Sequence, residues 1–506
     1  MNMIRAIIRN TVIPLLFPLF AVSQAAPGPE QHRPQLHFSP QKGWMNDPNG
    51  MVFFNGHYHL FFQHNPDATV WGPMHWGHAT STDLVHWKEL PIALYPDSLG
   101  TIFSGSAVID VHNTAGFGKN AMVAIYTNHS HEGEKAGTAT FQNQSIAYST
   151  DEGKTWTRYK GNPVLKNPGI RDFRDPKVSW YAPEKKWIMT LATLDHITFY
   201  SSPDLKSWKE ESRFGKNLGA HGGVWECPDL ISFNNNGRTV WVLIVNLNPG
   251  GPNGGSATQY FTGSFNGHTF TPDDSIVKWL DYGPDEYAGI TWSNTGSRKL
   301  FLGWMSNWQY ANVVPTKNWR SAMTLPRELS LKKINGRYFI TSAIVKELRT
   351  VTRPVKTLPN ISVNNRFVAA PASGNAKGLF RLDLEGIPLT DFSIALTNTK
   401  GEAVRIGFDK AANQFFIDRT HSGDTGFEKG FAQKHVAPRI AVNNTTRLTV
   451  IGDAASLELF ADDGLTVMTS IFFPSEPISG IAIETPGKLQ IKQLKYSMLS
   501  TKPQNR

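Results

Sequence analysis

A polar turn closed by an aromatic residue recurs along the first two-thirds of the chain, and it does most to restrict the fold. Ser81-Thr-Asp-Leu-Val-His-Trp87, Ser149-Thr-Asp-Glu-Gly-Lys-Thr-Trp156 and Ser201-Ser-Pro-Asp-Leu-Lys-Ser-Trp208 are copies, and Gly263-Ser-Phe-Asn-Gly-His-Thr-Phe270 is a looser fourth. The closing aromatics stand 69, 52 and 62 positions apart. Between them lie short runs of strand formers broken by Gly, Pro, Asn and Asp, and convincing amphipathic helices are missing. Val52-Phe53-Phe54 and the run from His57 flank Asn55-Gly56, a hairpin signal. A unit of several short strands cannot bury both sheet faces alone. A period of 50 to 70 residues therefore predicts propeller blades packed round an axis. One further unit around Ile290 to Arg327 brings the count to five, over residues 32–345.

The pattern changes after that. Residues 346–355 turn to Lys, Arg, Thr and Pro and read as a linker. From 356 to 500 apolar residues alternate over many short runs, such as Gly378-Leu-Phe-Arg-Leu-Asp-Leu, Phe392-Ser-Ile-Ala-Leu and Ser456-Leu-Glu-Leu-Phe. That period of two predicts a β-sandwich. The expected fold class is all-β: an N-terminal five-bladed β-propeller followed by a C-terminal β-sandwich.

Residues 1–25 read as a secretory signal peptide. Arg5 and Arg9 supply the positive start, Thr11 to Val22 is apolar but short for a bilayer, and Ser23-Gln24-Ala25 precedes a cut after Ala25 or Ala26. A secreted or periplasmic protein without a membrane span is expected. The single cysteine, Cys227, allows no internal disulfide. The formal net charge is +9, yet the basic residues are scattered, so nucleic acid is not an expected partner.

Three acids stand in unusual settings. Asp47 lies in Gly43-Trp-Met-Asn-Asp-Pro-Asn-Gly50, where Pro48 and Gly50 force a bend just before an apolar run. Asp175 adjoins Arg174 in Phe173-Arg-Asp-Pro-Lys-Val178. Glu226 lies between Trp225 and Cys227, apolar company that suits a general acid. Each acid taken alone also fits a structural ion pair or turn.

Trp44-Met-Asn-Asp-Pro-Asn-Gly50, Phe103-Ser-Gly-Ser106, Phe173-Arg-Asp-Pro176 and Trp225-Glu-Cys-Pro-Asp229, in this order, resemble the signature motifs of family 32 of the glycoside hydrolases, the β-fructofuranosidases. Leu94-Tyr-Pro-Asp-Ser-Leu-Gly-Thr-Ile-Phe103 and Gly254-Gly-Ser-Ala-Thr-Gln-Tyr260 look most like its exo-acting inulinases and levanases. The resemblance implies hydrolysis of terminal fructose from levan, inulin or sucrose with no cofactor. Asp47 would be the nucleophile, Glu226 the acid/base and Asp175 the transition-state stabiliser. Trp44, Asn46, Gln63, Trp71, Phe103, Ser104, Arg174 and Trp308 would bind the sugar. A bell-shaped, mildly acidic pH profile is expected, because Glu226 beside two anions should hold its proton. A dedicated invertase, a fructosyltransferase and a non-catalytic fructan-binding protein are the alternatives. A monomer is the expectation.

Other signals carry less. His57, His59, His64, His75 and His78 suggest a metal cluster, but no carboxylates or cysteines complete it, so no metal is expected. Pro249-Gly-Gly-Pro-Asn-Gly-Gly255 lacks the Lys-Ser/Thr of a phosphate loop. Cys227 reads as a small buried packing residue. The sandwich reads as structural.

Overall fold

A computed structural model of the chain describes residues 30–235, 237–370 and 378–500. The expected signal peptide lies outside the described residues. From His32 onward the chain is one compact unit built almost wholly of strands.

Five sheets form the propeller. Their innermost strands are Gly43–Phe54, Thr101–Asp110, Phe173–Tyr181, Val224–Asn235 and Tyr287–Thr291, which open blades I to V in chain order. Blade I begins with the expected hairpin: Asn55 and Gly56 both take positive φ, as a two-residue turn between twisted strands requires. Blade V meets blade I where Ser293 exchanges backbone hydrogen bonds with Met51 and Phe53, so the ring closes without an open inner edge.

The repeated turn joins the third and fourth strands of blades I to IV. Its Asp is the physical reason it recurs. The Asp83 carboxylate accepts from the backbone N–H groups of Val85 and His86. Asp204 does the same for Lys206 and Ser207. The closing Trp then donates back to the turn, Trp156 to Gly153 and Trp208 to Leu205. Blade V lacks this turn. Its outer strands, Arg327–Ile334 and Arg337–Ile344, extend past the Arg327 at which the sequence count ended.

Residues 346–355, read as a linker, contain a 3-10 turn at Lys346–Val351 and the start of the strand Thr352–Ala370. Leu348 and Val351 are buried there with Leu36, Leu325 and Leu379. That strand and nine later ones form a continuous folded-over sheet. The long strand Gly480–Leu499 serves both halves: its beginning pairs with Phe392–Thr397 and its end with Phe380–Pro388. The alternating residues predicted to face inward do so, among them Leu382, Leu384, Ile394, Ile406, Val450 and Leu459.

Propeller and sandwich share a buried, polar boundary. Gly464 has φ near 80° and touches the propeller so closely that a Cβ would meet the Ser342 carbonyl oxygen at 1.9 Å, so only glycine fits. Arg327, with no exposed surface, pairs with Asp281 and Glu458. His37 lies between Asp453 and Glu458, bonding one with each ring nitrogen, and these carboxylates outweigh its burial and push its pKa up to about 9.

Candidate active site

All five innermost strands carry a β-bulge near their starts, at one end of the axis. In each, two residues oppose one on the second strand: Asn46-Asp47, Phe103-Ser104, Asp175-Pro176, Cys227-Pro228 and Ala288-Gly289. A bulge re-aims side chains and leaves backbone groups unpaired. Side chains supply the missing bonds. Gln63 donates to the Ile102 carbonyl and Trp76 to that of Phe103. Thr127 accepts the Asp175 N–H. Asn246 spans two blades, donating to the Cys227 carbonyl and accepting the Gly289 N–H.

The bulges bring the three acids together. Asp47 is held at both oxygens, by Asn46 at 2.9 Å and Ser104 at 2.6 Å. Asp175, at φ 64°, accepts the Cys227 N–H at 3.0 Å. The Cys227 thiol reaches Asp47 at 3.4 Å and Asp175 at 3.6 Å, so it forms the floor between them. Burial and the surrounding carboxylates push that thiol's pKa well up, which keeps it neutral. The expectation of a small buried residue is met. Glu226 accepts two bonds from Arg174 on one oxygen, at 2.9 and 3.2 Å, and a short bond from the Tyr287 hydroxyl on the other. Arg174 is anchored by Asp172 at 2.6 Å.

Three carboxyls crowd round one guanidinium. Burial and the Glu226 charge raise the pKa of Asp47, against its bonds from Ser104 and Asn46. Burial pushes Asp175 up to about 7; Arg174 opposes this, while Glu226 and Asp47 add to it. Folded protein thus keeps a proton on Asp175 between its ordinary pKa near 3.8 and about 7, where the unfolded chain has lost it. Stability from this group is present in acid and is lost as pH rises through about 7. Asp175→Asn is therefore expected to raise the melting temperature at pH 8 by several degrees and hardly at all at pH 4. Thermal unfolding at both pH values checks this; an equal shift at both would refute the assignment.

The acids lie in a cavity of about 240 Å³ walled by Trp71, Phe103 and Trp308. Asn46, Gln63, Ser104 and Arg174 line it as well, so ten of the eleven expected site residues meet there. Trp44 is the correction. It is fully buried and lies one layer behind, stacking on Trp308 and donating to Asn46 at 2.7 Å. Gln63 lines the wall with its amide nitrogen already engaged by Asn49 and Ile102. Trp71 is 37 % exposed at the mouth, edge-on to Phe103.

Sequence reasoning missed Tyr287, Asp172, His129 and Glu134. Tyr287 opens the fifth inner strand, the place equivalent to the other motifs, and that position was its signal. His129 stacks under Phe103 with ring centres 4.1 Å apart. His129, His131 and Glu134 have ligand atoms within 4.8 Å of one another. The Gln142 amide nitrogen faces His129 Nδ1 at 3.3 Å and Glu134 faces Nε2 at 3.1 Å, which suits a ring donating to Glu134 from Nε2. Of the histidines weighed as ligands, His59 and His78 bond each other in the core, and His64 bonds the Trp44 carbonyl.

Comparison with known proteins agrees with this arrangement. Residues 37–342 match the model of the glycosyl hydrolases family 32 N-terminal domain, and residues 345–497 match that of the family 32 C terminal. A levanase of Bacillus subtilis (strain 168) is 46 % identical over 482 residues, 92 % of this chain and 70 % of that protein. An extracellular exo-inulinase of Aspergillus awamori is 40 % identical over 508 residues, 91 % of this chain and 93 % of that one. The structure of a β-fructofuranosidase from Schwanniomyces occidentalis complexed with fructosyl-erythritol superposes with a TM-score of 0.84 at 35 % identity, covering 93 % of this chain and 98 % of that chain. The chain belongs to family 32 of the glycosyl hydrolases.

Proposed function

We propose that the protein is an exported, retaining β-fructosidase that removes terminal non-reducing fructose from fructans and sucrose. The observation that carries this is the convergence of Asp47, Asp175 and Glu226 in one walled cavity. Asp47 attacks the anomeric C2 while Glu226 protonates the departing glycosidic oxygen. The bond to the leaving group breaks and a fructosyl ester forms on Asp47. Water then attacks C2 as Glu226 takes its proton, and fructose leaves with its configuration kept. Ser104 and Asn46 orient the nucleophile, and Arg174 and Tyr287 hold the acid/base. Asp175 bonds sugar hydroxyls more strongly as positive charge builds on the ring. The Glu226 charge is near enough to perturb Asp47.

The cavity's aromatic walls suit a single terminal sugar, in keeping with the exo-acting names among its relatives. Export rests on the residues 1–25 pattern and on the extracellular exo-inulinase. Product analysis on levan, inulin, sucrose and raffinose tests the reading. Fructose alone from both polymers is expected. Oligosaccharide products would overturn exo action, and longer chains would show transfer in place of hydrolysis.

The pH profile follows from the charges. Asp47 must be ionised to attack, and its raised pKa lifts the acid limb above the ordinary carboxylate range. The cluster must also hold one proton for the leaving group, and Asp175 at about 7 marks where it is given up. Activity is expected to be bell-shaped with a mildly acidic optimum. A profile flat from about pH 4 to 8 would contradict the shared-proton account.

A further inference from the structure

We infer that Arg419, a residue of the sandwich, positions the acid/base end of the active site in the propeller. Its guanidinium has no exposed surface and every part of it is engaged. One terminal nitrogen donates to Asp285 at 2.7 Å and the other to the Tyr310 hydroxyl at 2.9 Å. Nε donates to the Phe431 carbonyl at 2.7 Å, and the plane lies 3.8 Å over the Phe431 ring. Tyr310 donates in turn to the other oxygen of Asp285 at 2.5 Å. The Ile471 N–H, also from the sandwich, completes the carboxylate at 2.9 Å.

Both anchored propeller segments run directly into the site. Asp285 stands two residues before Tyr287, whose hydroxyl is bonded to Glu226. Tyr310 stands two residues after Trp308, the cavity wall. Asn307 ties the segments together by donating to the Pro284 carbonyl at 2.7 Å. A buried ion pair returns little net stability for the desolvation it costs, but it does fix one geometry. Here it fixes two segments at once, and a planar fork does what a point charge on lysine cannot. Arg419 touches neither the cavity nor the acids. It is a positioning residue acting through Asp285 and Tyr287.

This inference rests on the role proposed for Glu226, and a double-mutant cycle separates the two. Arg419→Lys keeps the charge but loses the fork, and Tyr287→Phe removes the bond to Glu226. Each is expected to lower kcat about tenfold or more with KM within about twofold, the split that misplacing a group used in the transition state produces. If Arg419 acts through Tyr287, the double variant is no slower than the slower single one. Tyr310→Phe, which leaves the ion pair intact, supplies a milder second probe with the same direction of change. Multiplicative losses in the double variant, or an Arg419→Lys protein that melts earlier but keeps wild-type kcat and KM, would overturn the positioning role alone. Wild-type protein without fructosidase activity would instead overturn the functional reading beneath it.

Discussion

Asp47→Asn is expected to lower kcat by at least about 10⁴-fold while leaving the protein folded. The amide cannot form the fructosyl ester, so the double displacement loses its first step. The fold should not suffer. The Asn46 bond to Oδ1 can persist, and a neutral group replaces a carboxyl that burial and Glu226 both penalise when charged. Melting temperature is expected to hold or rise, as when a site's electrostatic strain is relieved. Circular dichroism with turnover on sucrose checks both halves. Near-normal turnover would remove Asp47 from the chemistry. An unfolded variant would show that the Gly43–Gly50 bend needs the carboxylate for structure.

The second large effect is on stability. Arg327→Met is expected to destabilise the protein by about 3–5 kcal/mol, a drop in melting temperature on the order of 10 °C. Arg327 bonds Glu458 at 2.6 Å and Thr469 at 2.7 Å, and pairs with Asp281 at 2.9 Å. Glu286 is buried among the same charges, and burial and Asp281 push its pKa up to about 8, against Arg327 and a bond with Thr258. Removing the cation leaves two buried carboxylates, Asp281 and Glu458, without the guanidinium they share, while His37 stays bonded to Glu458. Methionine fills the volume but cannot compensate the charge. Denaturant or thermal unfolding measures the loss. A change below about 1 kcal/mol would mean that water enters the boundary and screens the pair.

Much of this was legible because the chemistry is local. The Asp-containing turns closed by Trp announced the blades, since the Asp carboxylate and the Trp N–H close a turn using only residues within it. The alternating runs after Gly378 announced the sandwich. Asp47, Asp175 and Glu226 stood out by their neighbours. What stayed hidden depends on pairing between distant strands. The five bulges are a matter of register, which no single strand's sequence reveals. Tyr287 carries no motif-like context and acquires its meaning from its place on the fifth inner strand. Trp44 belongs to a signature stretch yet lies behind the cavity, where its indole N–H donates to Asn46, which in turn donates to Asp47. Arg327 and Arg419 look like ordinary surface cations until propeller and sandwich close over them.

The central claim is a fructosyl ester on Asp47, and solvent competition tests it most directly. Sucrose turned over in dilute methanol yields a methyl fructoside whose anomeric configuration records the number of displacements at C2. Two displacements, by Asp47 and then by methanol activated through Glu226, predict methyl β-fructofuranoside. Methyl α-fructofuranoside as the initial product would mean a single inverting attack and would contradict the account.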